Sequence, residues 1–278
     1  MALIINTNVA SLGAQRSLAT SGAELKTAME RLSSGKKINS AADDAAGFAI
    51  AERMTAQIRG LNMATKNAND GLSMLGVIEN ATNDVTDMLH RMRELAIQAT
   101  NDTNGDADRI FLQKEVAQLI EEIDRVADKT TYNDQVVLAG DFTNKSIQVG
   151  TKAGDVVNFD IDDINTSSIG TSGGTQVNAI TVSSASGAEA ALQVITDAIE
   201  QVAGDRAKYG ALQNRLEYTV SNLMNVAEYT TAARSRIEDA DFAAESARLA
   251  KAQVLQQTGT AMLAQANASS QLALSLIR

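Results

Sequence analysis

The chain has no cysteine, no proline and no tryptophan, and a single histidine among its 278 residues. Without cysteine there can be no disulfide framework, thiol nucleophile or zinc–thiolate site. That lack is compatible with a reducing cytosol and equally with an exported protein kept free of crosslinks. Ordinary usage would place roughly fourteen prolines in a chain this long, so no helix here is interrupted by a missing amide donor. Aromatic residues make up only 3%. Alanine, leucine, isoleucine, valine and methionine must carry the burial, which suits slender helix packing better than a thick globular core. A basic face is missing as well. The formal net charge is −10 and the lysines and arginines are interspersed with acids, which argues against a nucleic-acid partner.

The same scarcity removes most catalytic chemistry. The lone histidine, His90, stands beside Arg91 and Arg93, the pattern of a solvated helix face. With no second histidine, nucleophilic triads and zinc sites have too few donors. Carboxylates cluster at Asp160, Asp162 and Asp163 and at Glu121, Glu122 and Asp124, on expected surface or strand-end positions. No phosphate-cradling glycine loop occurs. The residues offer neither a catalytic centre nor a cofactor site.

Charge is absent from both ends. Residues 1–15 carry none, and neither does the stretch from Ala252 to Ile277. The amino end lacks the basic region and small-residue cleavage site of a secretory signal. The carboxyl stretch holds Gln253, Gln256, Gln257, Gln265, Asn267 and Gln271, which argue against a lipid-spanning helix. It reads as a helix buried against other helices.

What is present is helical period. From Ala45 to Thr100, Met54, Leu61, Ala68 and Leu75 recur at intervals of seven, with Ile58 and Leu72 between them. After a slip near Gly76 the stripe resumes through Ile78, Val85, Met92, Leu95 and Ala99. Such a helix would be about 85 Å long, too long to bury its stripe against itself. Leu112, Val116, Leu119, Ile123 and Val126 predict a shorter helix, joined to the first by the polar turn Asn101–Asp108 and folded back antiparallel. That turn faintly resembles a calcium loop, but its glycine follows the wrong ligand position and no closing glutamate is present. From Ala188 onward Ile195, Val202, Tyr209, Leu216 and Leu223 repeat at sevens, with Arg206 and Gln213 interrupting a second seam. The bundle seam therefore rests on Met54, Leu61, Leu75, Leu119, Ile123, Val202, Leu216 and Leu223.

At the ends, Val9, Leu12, Leu18, Leu25, Met29 and Leu32 form one stripe. Phe242, Leu249, Leu255, Leu263 and Leu274 are the bulky apolar residues that can answer it from the carboxyl side. The two ends are expected to pair with each other and to gain full shelter only when many copies pack. Leu32–Gly47 is a turn-rich connector, with Asp43 and Asp44 near the first turn of the long helix, where acids are favoured. Ser146–Val149 and Val156–Ile161 predict a hairpin turning at Lys152–Asp155. The Ser-, Thr- and Gly-rich sequence that follows, to Gly187, reads as an exposed insert with weak strand character at Ala179–Val182. The expected fold class is mainly α: a long antiparallel coiled-coil-like bundle with paired terminal helices and a small β-hairpin region.

Several motifs then become specific. INTN (Ile5–Asn8), ERLSSG (Glu30–Gly35), INSAADDAAG (Ile38–Gly47), NANDG (Asn67–Gly71), RELAIQATNDTN (Arg93–Asn104) and EEIDRVADKTTYN (Glu121–Asn133) closely resemble the amino-terminal region of bacterial flagellin. SRIEDADFAAE (Ser235–Glu245), QVLQQTGTAMLAQAN (Gln253–Asn267) and LSLIR (Leu274–Arg278) resemble its carboxyl-terminal region. The resemblance implies a structural subunit that polymerises into the flagellar filament and acts as a propeller, exported by the flagellar type III apparatus to the cell exterior. It implies a terminal coiled-coil domain, residues 1–43 with 237–278, lining an inner tube. A helical bundle domain, residues 44–236, would form an outer tube and carry the hairpin and the insert at about 141–187. The implied partners are further copies of the chain, the export chaperone, the filament cap and the hook-associated junction proteins, with no nucleic acid and no membrane insertion. Arg91, Leu95 and Glu115 match positions by which many flagellins engage the flagellin-sensing Toll-like receptor, although His90 stands where a glutamine is common. The family often has a proline in the segment matching Ala268–Leu272, so the last turns are expected to be more regular here. A filament-junction protein or a secreted helical interaction module is the alternative reading.

Overall fold

The computed structural model describes residues 7–170 and 174–275, with side chains as far as residue 268. Five α-helices dominate: α1 (Val9–Ser34), α2 (Ala45–Thr100), α3 (Asp106–Lys129), α4 (Ala185–Glu238) and α5 (Phe242–Ser275). Among the described residues between α3 and α4 are four short strands, namely β1 (Thr131–Tyr132), β2 (Gln135–Val136), β3 (Lys145–Gln148) and β4 (Val156–Phe159). The mainly α architecture with a small hairpin region is the one the periodicity predicts. The long helix has the expected bounds, and α5 runs unbroken to Ser275. α4 extends beyond its apolar heptads to Glu238.

The chain divides into two compact units, Met1–Ile58 with Glu228–Arg278, and Arg59–Ala227, so both boundaries fall inside long helices. In the first unit α1 and α5 lie side by side. Asn8 caps α1 by accepting the Ser11 amide at 3.1 Å, and Gly35 ends it in the left-handed region at φ 71°. The Gly35 N–H returns to the Arg31 carbonyl at 2.9 Å. Beyond the cap, Lys37 N donates to Glu238 O at 2.7 Å and Ala240 N to Gly35 O at 3.0 Å, tying the connector to the joint between α4 and α5. Asp44 starts α2 by accepting the amides of Ala46 and Gly47 at 3.1 and 2.9 Å. Asp43 Oδ2 accepts the amides of Asn39 and Ser40 at 3.1 and 2.9 Å, so both acids of the connector satisfy free backbone amides.

In the second unit the seam residues from three helices meet. Leu75, Ile123, Val202 and Leu216 are fully buried, as are Ile78, Leu89, Met92 and Ile195 beside them. Leu61 and Leu223 form a smaller cluster with Ala64. Leu119, and Met54 in the first unit, are only half-buried. Arg206, which interrupts an apolar seam, sends Nε and Nη2 to Glu79 Oε1 at 3.1 and 2.6 Å, pinning α4 to α2.

The predicted hairpin forms as β3–β4, antiparallel with Ile147 opposite Val157 and Gln148 opposite Val156. Gly154 takes φ 93° in its turn. A second, tighter hairpin, β1–β2, turns at Asn133 and Asp134 with φ of 50° and 62°. Two adjacent left-handed residues are the signature of a type I′ turn, for which Asn and Asp are suited.

Two expectations for the insert need correction. Ala179–Val182 is not a strand; a 3₁₀ turn spans Val177–Ala179 instead. Nor is the insert wholly exposed, because Ile161, Ile164, Ile169, Val177 and Val182 are completely buried. Their spacing matches neither a strand nor an α-helix, so they enter the core from loop segments and, at Val177, from the 3₁₀ turn. Loop polar groups are satisfied locally: Thr166 N and Oγ1 both bond Asp124 Oδ1 at 2.8 Å, and Val182 N bonds Gln113 Oε1.

Candidate functional site

The α1–α5 pair joins a packed inner face to an outer face that leaves several large apolar side chains in solvent. Its inner face is built from small and apolar side chains: Ala28 and Ala252 are buried, Ser21 is buried with its hydroxyl on the Leu18 carbonyl, and Leu18 packs against Gly259. Asn8 Nδ2 reaches Ala266 O at 2.9 Å and Ser11 Oγ reaches Asn267 Oδ1 at 2.9 Å. Toward the other end Arg31 approaches the buried carboxylate of Glu245 at 3.8 Å, and Arg248 meets it at 3.2 Å. These contacts make the pair antiparallel. Leu18, Leu25, Leu32, Leu249 and Leu263 are half-buried within it.

The outer face is different. Val9 is 68% exposed, Leu12 56%, Phe242 69% and Met262 64%, with Met29, Val254 and Leu255 also open. Leu274 lies outside the residues whose side chains are described. The terminal residues named from sequence are therefore split: some hold the two helices together, while Val9, Leu12, Leu255 and Phe242 face solvent. Large apolar side chains concentrated this way mark a surface awaiting a partner. No helix among the described residues is long and apolar enough to cross a membrane.

The second named group lies where α2 faces α3. Arg91 Nε and Nη2 both engage Glu115 Oε1, at 2.9 and 2.8 Å, and Arg91 Nη1 reaches Glu94 at 3.0 Å. All three side chains are well exposed, and His90 beside them is exposed too. These hydrogen bonds, Glu115 first, raise the Arg91 pKa further above its already high ordinary value. Leu95 is separate from this exposed pair: it is 1% exposed and belongs to the core.

Two organising residues are silent in the sequence. Arg109 is buried, and its guanidinium fills the Asn101–Asp108 turn by bonding Ala99 O at 2.8 Å and Asp106 Oδ1 at 3.2 Å. A cationic side chain thus occupies the interior of the loop that faintly resembled a calcium site. Glu245 is the other, a carboxylate buried between two arginines. An aspartate-rich turn followed by an arginine could have signalled the first. No local pattern signals the second.

A chain of long apolar seams with an open apolar face on its terminal helices has the form of a polymerising subunit. Residues 5–143 match the family model for the bacterial flagellin N-terminal helical region, and residues 192–277 match that for the C-terminal helical region. The chain is 41% identical over 276 residues to a flagellin of Halalkalibacterium halodurans, covering 99% of this chain and 100% of that relative. It is 38% identical over 286 residues to the flagellar filament 33 kDa core protein of Treponema phagedenis, covering 99% and 100%. Its fold also matches the crystal structure of Bacillus cereus flagellin, with 29% identity and a TM-score of 0.50 over 57% of this chain and 88% of that one. These matches define a structural protein that self-assembles into the filament of the flagellum, outside the cell. The chain belongs to the bacterial flagellin family.

Proposed function

We propose that copies of this chain join through the open apolar face of the α1–α5 pair, and that the filament so formed works mechanically as a swimming propeller. The observation that carries the reading is the division of that pair into a packed inner face and an outer face with Val9, Leu12, Phe242 and Met262 left in solvent. Burying a large apolar side chain contributes roughly 1.5–3 kcal/mol, so a few such residues on each neighbour suffice to drive association without a focused pocket. In this reading the terminal pair lines an inner tube and the helical bundle an outer one. The protein does no catalysis.

The family membership supports extending this reading to the export route and further partners. The chain leaves through the flagellar type III apparatus, and it meets the export chaperone, the filament cap and the hook-associated junction proteins. For the flagellin-sensing Toll-like receptor, Arg91 and Glu115 are the available contacts. Leu95 acts there by supporting the backbone that presents them.

Electron microscopy of purified protein after seeding tests the reading. The full chain forms filaments, and a variant lacking residues 252–278 stays soluble and folded in its bundle but forms none. Robust tubes from the shortened chain would overturn the role given to α5.

A further inference from the structure

Sulfur chemistry in this chain is confined to methionine, because cysteine is absent. The fold sorts the methionines sharply. Met92 is completely buried and Met74 nearly so, Met54 and Met88 are half-buried, and Met29, Met63, Met224 and Met262 are exposed. Met63 and Met224 belong to the second unit. Met262, at 64%, is the most open of the described methionines and stands on α5 within the apolar outer face. It borders a groove of about 580 Å³ between α1 and α5, lined there by small residues: Ala10, Ala14 and Ser17 from α1, Thr258 and Gly259 from α5. A small solute can therefore reach its thioether directly from solvent.

We propose that Met262 is an oxidation site whose state governs whether a free copy can join the polymer. This rests on the reading that copies meet through that face. The oxidant is a hydroperoxide. The sulfur attacks one peroxide oxygen, an S–O bond forms, the O–O bond breaks, and the remaining oxygen leaves as water or an alcohol after taking up the proton. The sulfur loses two electrons and the peroxide gains them. The product, a sulfoxide, turns a flexible apolar side chain into a polar one.

The location decides what that change does. Within one copy the sulfoxide oxygen stays in water, so the fold of the copy is unaffected. Against a second copy it would be buried. The other large side chains open on this face are Val9, Leu12, Val254, Leu255 and Phe242, and none of them has a polar side-chain atom to donate to it. A strong acceptor left without a donor opposes association as much as the lost apolar contact does. Once copies have joined, the same thioether is covered and out of reach of the oxidant. Peroxide thus halts growth while leaving the existing polymer intact, and enzymatic reduction of the sulfoxide restores growth.

The test treats monomeric full-length protein with hydrogen peroxide, maps oxidation by peptide mass spectrometry, and then seeds assembly. Met262 is expected to convert well before Met74 and Met92, with the urea midpoint unchanged. The concentration needed for assembly should rise about tenfold or more. Filaments formed before treatment should keep Met262 reduced. Met262→Leu retains the apolar surface without sulfur, so it should assemble like the parent and continue to do so after peroxide. Reductases for both sulfoxide epimers should restore assembly to the oxidised parent. Normal assembly of protein fully oxidised at Met262 overturns the proposal, and so does equal loss of assembly in the treated leucine variant. Untreated parent that never polymerises would overturn the underlying assembly reading and this one with it.

Discussion

Leu18 of α1 lies against Gly259 of α5 so closely that a β-carbon built on the glycine would come within 3.2 Å of Leu18 Cδ1. The terminal helices touch here through a leucine end and a bare backbone. Gly259→Ala adds one methyl against a flexible leucine end and gains helix propensity, so its stability is expected within about 1 kcal/mol of the parent chain. Gly259→Leu overpacks the seam and costs about 1–3 kcal/mol. Amide exchange in α1 and α5 of the full chain checks this: faster exchange confined to those helices in the leucine variant is expected, and uniform protection in both variants contradicts it.

The core and the exposed ion pair on α2 should separate cleanly by substitution. Leu95→Ala opens a cavity at a fully packed position and costs about 2–5 kcal/mol. Arg91→Ala removes an exposed pair worth about 0–1 kcal/mol. Urea midpoints of the two variants test the contrast. Receptor signalling assays on Leu95 variants must be paired with that measurement, because loss of signal there would reflect lost packing.

Gly35 carries φ 71° at the end of α1, where any other residue is strained. Gly35→Val should cost about 1–3 kcal/mol. It should also loosen the short pairing of Lys36 with Asp239 that follows the cap. Raised exchange of the Lys37 and Ala240 amides would report it; unchanged exchange would show that the connector is held by other means.

Asp43 gives the connector a pH dependence of its own. Its pKa is lowered, first by the Ser40 amide, then by the Asn39 amide and the Ser40 hydroxyl. A lowered carboxyl stabilises the fold above the ordinary aspartate range, and the contribution disappears as pH falls through the folded value. On acidification the Ser40 and Asn39 amides should therefore lose protection. Asp43→Asn should show reduced protection already at neutral pH and little further change in acid.

Much of this molecule was legible because its long helices have almost nothing to interrupt them. The heptads of Leu61, Leu75, Val202 and Leu216 name their own burial, and the alternation around Lys152–Asp155 marks a hairpin. The Asn133–Asp134 turn was missed although its residues favour φ above zero, because strands of two residues carry no period to flag them. Ile164 and Ile169 fall in the stretch that reads as an exposed insert for a related reason: isolated side chains entering a core from a loop obey no fixed spacing. Partnerships such as Arg31 with Glu245 or Asp162 with Lys208 depend on residues distant in sequence, so no local window contains both members. The outer face of α1 and α5 was legible only as missing charge; which apolar residues stay open depends on how the two helices rotate against each other.

The hydrogen bond from Asn8 to Ala266 joins residues 258 positions apart. Closing so wide a loop is entropically costly and slow compared with forming the local helices. In a nascent polypeptide the later helix of this pair does not yet exist beside the earlier one. The terminal pair must therefore be the last part of each molecule to zip shut. The apolar face that this pair presents is thereby complete only once the whole chain has arrived.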